Sequence, residues 1–193
     1  MRVHNQRLDT NFTESGDACL ACRHLHGHEG LVKVFLEEID IGKNVGATGM
    51  VTDFKHLGWF KNFIDDTLDH KLILDIKDPL LEEELPYLLD DDGKINLEEY
   101  CYKIPEGFWI PNLGALKATL DEYILKYKFD ESKAAAIYEK YEGLVLVDFV
   151  PTSENLAAWL LKIASEKMKG IPNVRVAAVE YWETPKSHCR VES

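Results

Sequence analysis

The chain has 193 residues and a formal charge of −12 at pH 7. That length gives one domain with a sizeable core and room for an elaboration, and the acidic balance argues against a nucleic-acid backbone as the main partner. No run approaches the roughly 18 apolar residues of a membrane span, and the first residues lack a signal-peptide pattern, so the expectation is a cytoplasmic protein with no membrane partner.

The segment Arg2-Val3-His4-Asn5-Gln6-Arg7-Leu8 alternates like a strand. Cys19 and Cys22 form a Cys-x-x-Cys, but no second pair follows and no thioredoxin-like context surrounds it. Cysteines in such a chain, Cys101 and Cys189 included, read as thiols rather than as a disulfide framework. Next comes Cys22-Arg23-His24-Leu25-His26-Gly27-His28. Imidazoles at i and i+2 of an extended chain point to the same side and can share one metal ion. A catalytic zinc needs a third protein ligand and an open position. His4, His24, His56, His70 and His188 are the candidates, and His4 could lie on a strand beside the pair.

Leu31 to Ile41 reads as a strand, with Val32, Val34 and Leu36 alternating against Lys33, Phe35 and Glu37. Gly42 to Gly46 reads as a turn, so Thr48 to Phe54 is expected to return as the second arm of a hairpin. Asp53 then opens a helix with Leu57, Phe60 and Ile64 on one face, ending near Leu68-Asp69-His70. A carboxylate beside an imidazole fixes its tautomer, and such a histidine can relay protons to a thiol.

The stretch 75–148 has a different character and reads as a helical insertion. Asp90, Asp92, Gly93, Ile95 and Glu99 fit five positions of a calcium-binding loop, but Leu88 stands where the leading carboxylate belongs. An acidic turn before a helix is the better reading. Helices are expected over Leu113 to Tyr127 and Ser132 to Glu142, the latter stopped by Gly143. After Pro151, Thr152 or Ser153 caps a helix whose stripe is Leu156, Trp159, Leu160 and Ile163. Val174 to Trp182 is a strand, and Glu183 at its end is either solvated or an acceptor for a guanidine-like ligand edge. Strands, helix, insertion, helix and strand make an α+β domain with an antiparallel sheet.

The set His4, Cys22-x3-His26-Gly27-His28, Gly49-Met50-Val51-Thr52-Asp53-Phe54, Leu68-Asp69-His70, Pro151-Thr152-Ser153-Glu154 and Glu183-Thr184 resembles the 6-pyruvoyltetrahydropterin synthase superfamily. Three residues between the cysteine and the His-Gly-His look like its 6-carboxytetrahydropterin synthase branch, which serves queuosine and related deazapurines. The resemblance implies a tunnelling fold: a four-stranded antiparallel sheet with two helices on one face, here carrying an inserted helical segment at 75–148 within a single pterin-synthase-like domain spanning 1–193. It implies a homo-oligomer, trimer or hexamer, with a zinc ion on His4, His26 and His28. It further implies Cys22 as thiolate base, Asp69 and His70 as proton relay, and Glu183 as anchor of the pterin ring with Thr152 and Ser153 nearby. The implied substrate is 7,8-dihydroneopterin triphosphate. The aromatic that commonly follows the family's His-Gly-His is replaced here by Glu29-Gly30.

Overall fold

Two sheets organise the chain, each in its own compact unit. The structure, a computed structural model, describes residues 2–3, 26–79, 81–82, 85–90 and 92–193. The first unit combines residues 28–69 with 152–193, and the second combines 2–27 with 70–151.

The first unit is built on β3 (Leu31–Glu38), β8 (Val174–Thr184) and β9 (Ser187–Glu192), in the order β3-β8-β9 and antiparallel throughout. Val174, Val176, Val179 and Tyr181 lie in the core, their alternation offset by one at the bulge where β3 and β8 shift register, while Arg175 stays exposed. Against β8 packs α6 (Ser153–Met168), which buries Leu156, Ala157, Leu160, Ile163, Ala164 and Met168. The Thr152 hydroxyl accepts the Asn155 N–H at 3.3 Å, so Thr152 is the N-cap and Ser153 the first helical residue. Each fully buried leucine there contributes about 1.5–3 kcal/mol of transfer free energy.

The helix expected after Asp53 forms as a continuous helical run of three pieces. A 3₁₀ turn (Phe54–Leu57) leads into α2 (Gly58–Phe63) and then a π-turn (Ile64–Leu68). The Asp53 carboxylate accepts the Lys55 N–H at 2.9 Å, and the Phe63 ring meets Trp159 of α6 edge-on.

The expected hairpin does not form. Lys43–Thr48 is a short helix, α1, bounded by Gly42 and Gly49, both left-handed at φ +83° and +75°. The cause is Glu38: its carboxylate accepts the N–H groups of Gly42, Asn44 and Val45 at 2.6–2.7 Å, which satisfies the amides opening α1. Asn173, at φ +59°, accepts the Asp40 N–H at 2.6 Å, while Asn44 donates to the Val51 carbonyl at 2.8 Å. These bonds tie 48–54 down as loop. Among the described residues the antiparallel sheet therefore has three strands, where the sequence led us to expect four.

The second unit holds a six-stranded mixed sheet. Its strands are β1 (Arg2–Val3), β2 (His26–Gly27), β4 (Leu72–Asp75), β5 (Cys101–Ile104), β6 (Phe108–Pro111) and β7 (Leu144–Val147), in the order β2-β1-β4-β7-β6-β5. β4 runs parallel to both β1 and β7, and the other pairings are antiparallel. Both central strands are buried and, apart from Asp75 at the end of β4, apolar, as a strand covered on two faces requires. The segment 75–148 contains the two expected helices, α4 (Leu113–Tyr127) and α5 (Glu131–Glu142), capped by Asn112 and Asp130. It also contains three strands and a short helix, α3 (Leu97–Tyr100), so it is mixed rather than purely helical. Leu74, Leu85, Leu88, Leu116, Leu120 and Leu146 form its core. The acidic stretch is a turn before α3, as expected. There the Asp90 carboxylate accepts the N–H groups of Asp92 and Lys94 at 3.0 and 2.8 Å.

Candidate functional site

Glu183 lies near the end of β8, two residues beyond Tyr181, at the bulge where the register against β9 shifts between Trp182 and Thr184. Its two oxygens meet two different elements. Ser153 Oγ, at the start of α6, donates to Glu183 Oε2 at 2.8 Å. His28 Nε2, just before β3, lies 2.6 Å from Glu183 Oε1. The His28 side chain is 17% exposed and that of Glu183 34%, so this carboxylate is held at the protein surface without being lost to solvent.

The division of labour at the start of α6 follows from capping. Thr152 spends its oxygen on the helix N-cap, which leaves the next hydroxyl, Ser153, to hold Glu183. A carboxylate beside a helix N-terminus is favoured by the exposed N–H groups and the macrodipole there. The result is a carboxylate with a neighbour at each oxygen. It makes an ion pair with His28 when the imidazole is protonated and a neutral contact otherwise.

Three of the site residues read from the sequence, His28, Ser153 and Glu183, are thus brought together, and Thr152 adjoins them as a cap. The β1–β2 pairing expected from the alternation at the start of the chain is present: Val3 stands opposite His26, and Arg2 opposite Gly27. His4, Cys22, Cys19 and His24 lie outside the described residues. Asp69 ends the first unit and His70 opens the second. The π-turn directs the Asp69 N–H to the Ile64 carbonyl at 2.9 Å. His70 follows at φ +56°, a left-handed conformation that costs a non-glycine residue energy and is common just past a helix end.

Among the described residues no group of three or more His, Cys, Asp and Glu is arranged around a metal position. The donors of the cluster nonetheless suit zinc, which takes imidazole nitrogen and carboxylate oxygen. His26 lies in the edge strand β2, and His28 comes two residues later in the sequence. The remaining thiols are inert by comparison. Burial pushes Cys101 up to about 12, and burial with the nearby Glu154 charge raises Cys189.

One feature of the site escaped sequence reasoning. Tyr181 read only as one more apolar residue of a strand, yet its ring tip lies directly against Gly30. The sole sequence signal was a glycine at the entrance to a strand, where glycine often marks close backbone approach.

A family model described as 6-pyruvoyl tetrahydropterin synthase matches residues 3–193. Among solved structures, the uncharacterized protein WS1659 from Wolinella succinogenes is 38% identical. The match covers 100% of this chain and 92% of that one, with a TM-score of 0.76. No curated protein matches.

Proposed function

The chain belongs to the 6-pyruvoyl tetrahydropterin synthase family, and on that premise we propose that it is a zinc-dependent carbon–carbon lyase of the 6-carboxytetrahydropterin type. Its reaction would convert 7,8-dihydroneopterin triphosphate to 6-carboxytetrahydropterin, releasing acetaldehyde and triphosphate, within deazapurine synthesis. The observation that carries the reading is the His28–Glu183–Ser153 cluster, which joins three residues that the family resemblance assigns to one site. The Cys22-x3-His26-Gly27-His28 spacing favours the 6-carboxy branch over the pyruvoyl type.

In this reading Glu183 accepts the amino and ring N–H groups of the pterin, a charge-assisted pair about twice as strong as neutral hydrogen bonds. Ser153 keeps the carboxylate aimed, and Thr152 keeps Ser153 in place by capping α6. His4, His26 and His28 would hold the zinc, which when bound polarises side-chain oxygens of the substrate. Cys22 as thiolate moves the side-chain protons, and Asp69 orients His70 to exchange protons with it. A trimer or hexamer is the expected assembly.

Product analysis tests the reaction. Zinc-loaded protein given 7,8-dihydroneopterin triphosphate should yield 6-carboxytetrahydropterin and acetaldehyde. A 6-pyruvoyl product without acetaldehyde would assign the pyruvoyl-type reaction instead, and unchanged substrate would point to a non-catalytic pterin-binding relative. Cys22→Ala should lower turnover by about 10²–10⁴-fold while keeping zinc, because a base is removed and a ligand is not. Cys19→Ala should stay near wild type, and equal loss of activity and metal from both would mark a Cys-x-x-Cys zinc site.

A further inference from the structure

The first unit contains a close approach that the reaction scheme does not use. A Cβ built on Gly30 would lie 2.6 Å from the Tyr181 hydroxyl oxygen, and 3.1 and 3.2 Å from Cζ and Cε2 of the same ring. Ordinary contact begins at 3.4 Å, so even a methyl group there forces something to shift. What shifts depends on which side is softer. Tyr181 is 4% exposed and sits in the middle strand, with Val32 opposite on β3 and Cys189 opposite on β9. Gly30 is exposed, and residues 28–30 belong to no helix or strand. The ring holds and the segment yields. Burial, with the Glu183 charge adding to it, pushes the Tyr181 phenol well above the usual tyrosine range, so it remains a neutral hydroxyl beside the cluster.

We propose that Gly30 and Tyr181 are a matched positioning pair for the cluster: the phenol fills the volume of any side chain at residue 30, and so fixes the segment that presents His28 to Glu183. Only Glu29 separates Gly30 from His28, whose Nε2 lies 2.6 Å from Glu183. A displacement of even part of an ångström at Gly30 opens that contact. Neither residue touches ligand in this scheme; both act through His28 and Glu183. The consequence for pterin binding rests on the reading of Glu183 as ring anchor, whereas the positional claim does not.

The test pairs a shape change with its relief. In zinc-loaded protein, Gly30→Ala should move the His28 imidazole resonances, assigned with His28→Gln. It should also weaken binding of free pterin by about 10-fold, the size of one lost hydrogen bond. Gly30→Ala/Tyr181→Phe removes the nearest atom, so the signal should return toward wild type and at least half of the lost affinity, on a logarithmic scale, should be regained. Ile163→Val in α6 is the control: it lowers the melting temperature and should leave the His28 signal in place. Unmoved His28 resonances in Gly30→Ala would overturn the proposal, as would a double variant no closer to wild type than the single one. If Gly30→Ala does not fold, recovery of folding in the double variant supports the pairing, and failure of both overturns it. Wild-type protein that binds no pterin would remove the anchor reading and leave the His28 resonances to decide the pairing.

Discussion

The two units solve different problems with the same alphabet. The second is a leucine-lined scaffold in which Leu74, Leu85, Leu88, Leu116, Leu120 and Leu146 are fully buried around a mixed sheet. The first buries a similar stripe under α6, but its β8 carries a carboxylate two residues beyond the last buried position, flanked by a hydroxyl of α6 and an imidazole of the segment before β3. In the scaffold, a side chain matters for the volume it fills. At the cluster, position counts to a fraction of an ångström, and the residues involved stand at element ends: the start of α6, the segment before β3 and the end of β8.

That contrast is most easily broken in the scaffold. Leu146→Ala should destabilise the protein by about 2–5 kcal/mol, from lost transfer energy plus the residual cavity. Pterin affinity measured well below the unfolding transition should stay at the wild-type value, and a parallel loss of affinity would erase the distinction between the units.

At the cluster, adjacent hydroxyls should separate. Thr152→Ala removes a helix cap and should cost about 0.5–2 kcal/mol of stability. Ser153→Ala removes one partner of Glu183, so it should weaken pterin binding with a smaller change in melting temperature. Denaturation and calorimetry on both variants check this, and the reverse pattern would mean that Thr152, not Ser153, serves the ligand.

The smallest effect concerns the loop beyond β3. Hydrogen bonds from the amides of Val45, then Gly42 and Asn44, hold the Glu38 carboxyl below the usual glutamate range. A depressed carboxylate contributes its stability above the unfolded-state value and loses it as pH falls through the folded one. Acidification below the ordinary glutamate range should therefore release α1 first. The Val45 amide resonance, followed from neutral to acid pH, should shift before the β8 amides respond, and simultaneous shifts would contradict it.

Legibility in the sequence followed the range of the cause. The helices α4 and α5 were readable because period and caps are local: Asn112 and Asp130 at the starts, Gly143 at a stop. β3 was readable from alternation and β8 from its richness in Val, Ala and Tyr. The α1 turn was not, because Glu38 satisfies amides four to seven residues away and Asn173 reaches across 133 residues to Asp40. Strands β5, β6 and β7 are four residues each, too short to carry a period. At the site, Ser153 and Glu183 were legible as residue types beside a recognised pattern. Their shared contact and the fit of Tyr181 against Gly30 were not, since both depend on which elements the fold brings together.

The central claim is that Glu183 is the pterin anchor, and calorimetry of free pterin with wild-type and Glu183→Gln protein tests it most directly. The glutamine keeps one acceptor, adds an unwanted donor and removes the charge. The account predicts binding weaker by about 1.5–3 kcal/mol, the worth of a hydrogen bond to a charged group, at unchanged zinc content. Equal affinity in the two proteins would contradict it, leaving Glu183 a solvated strand end.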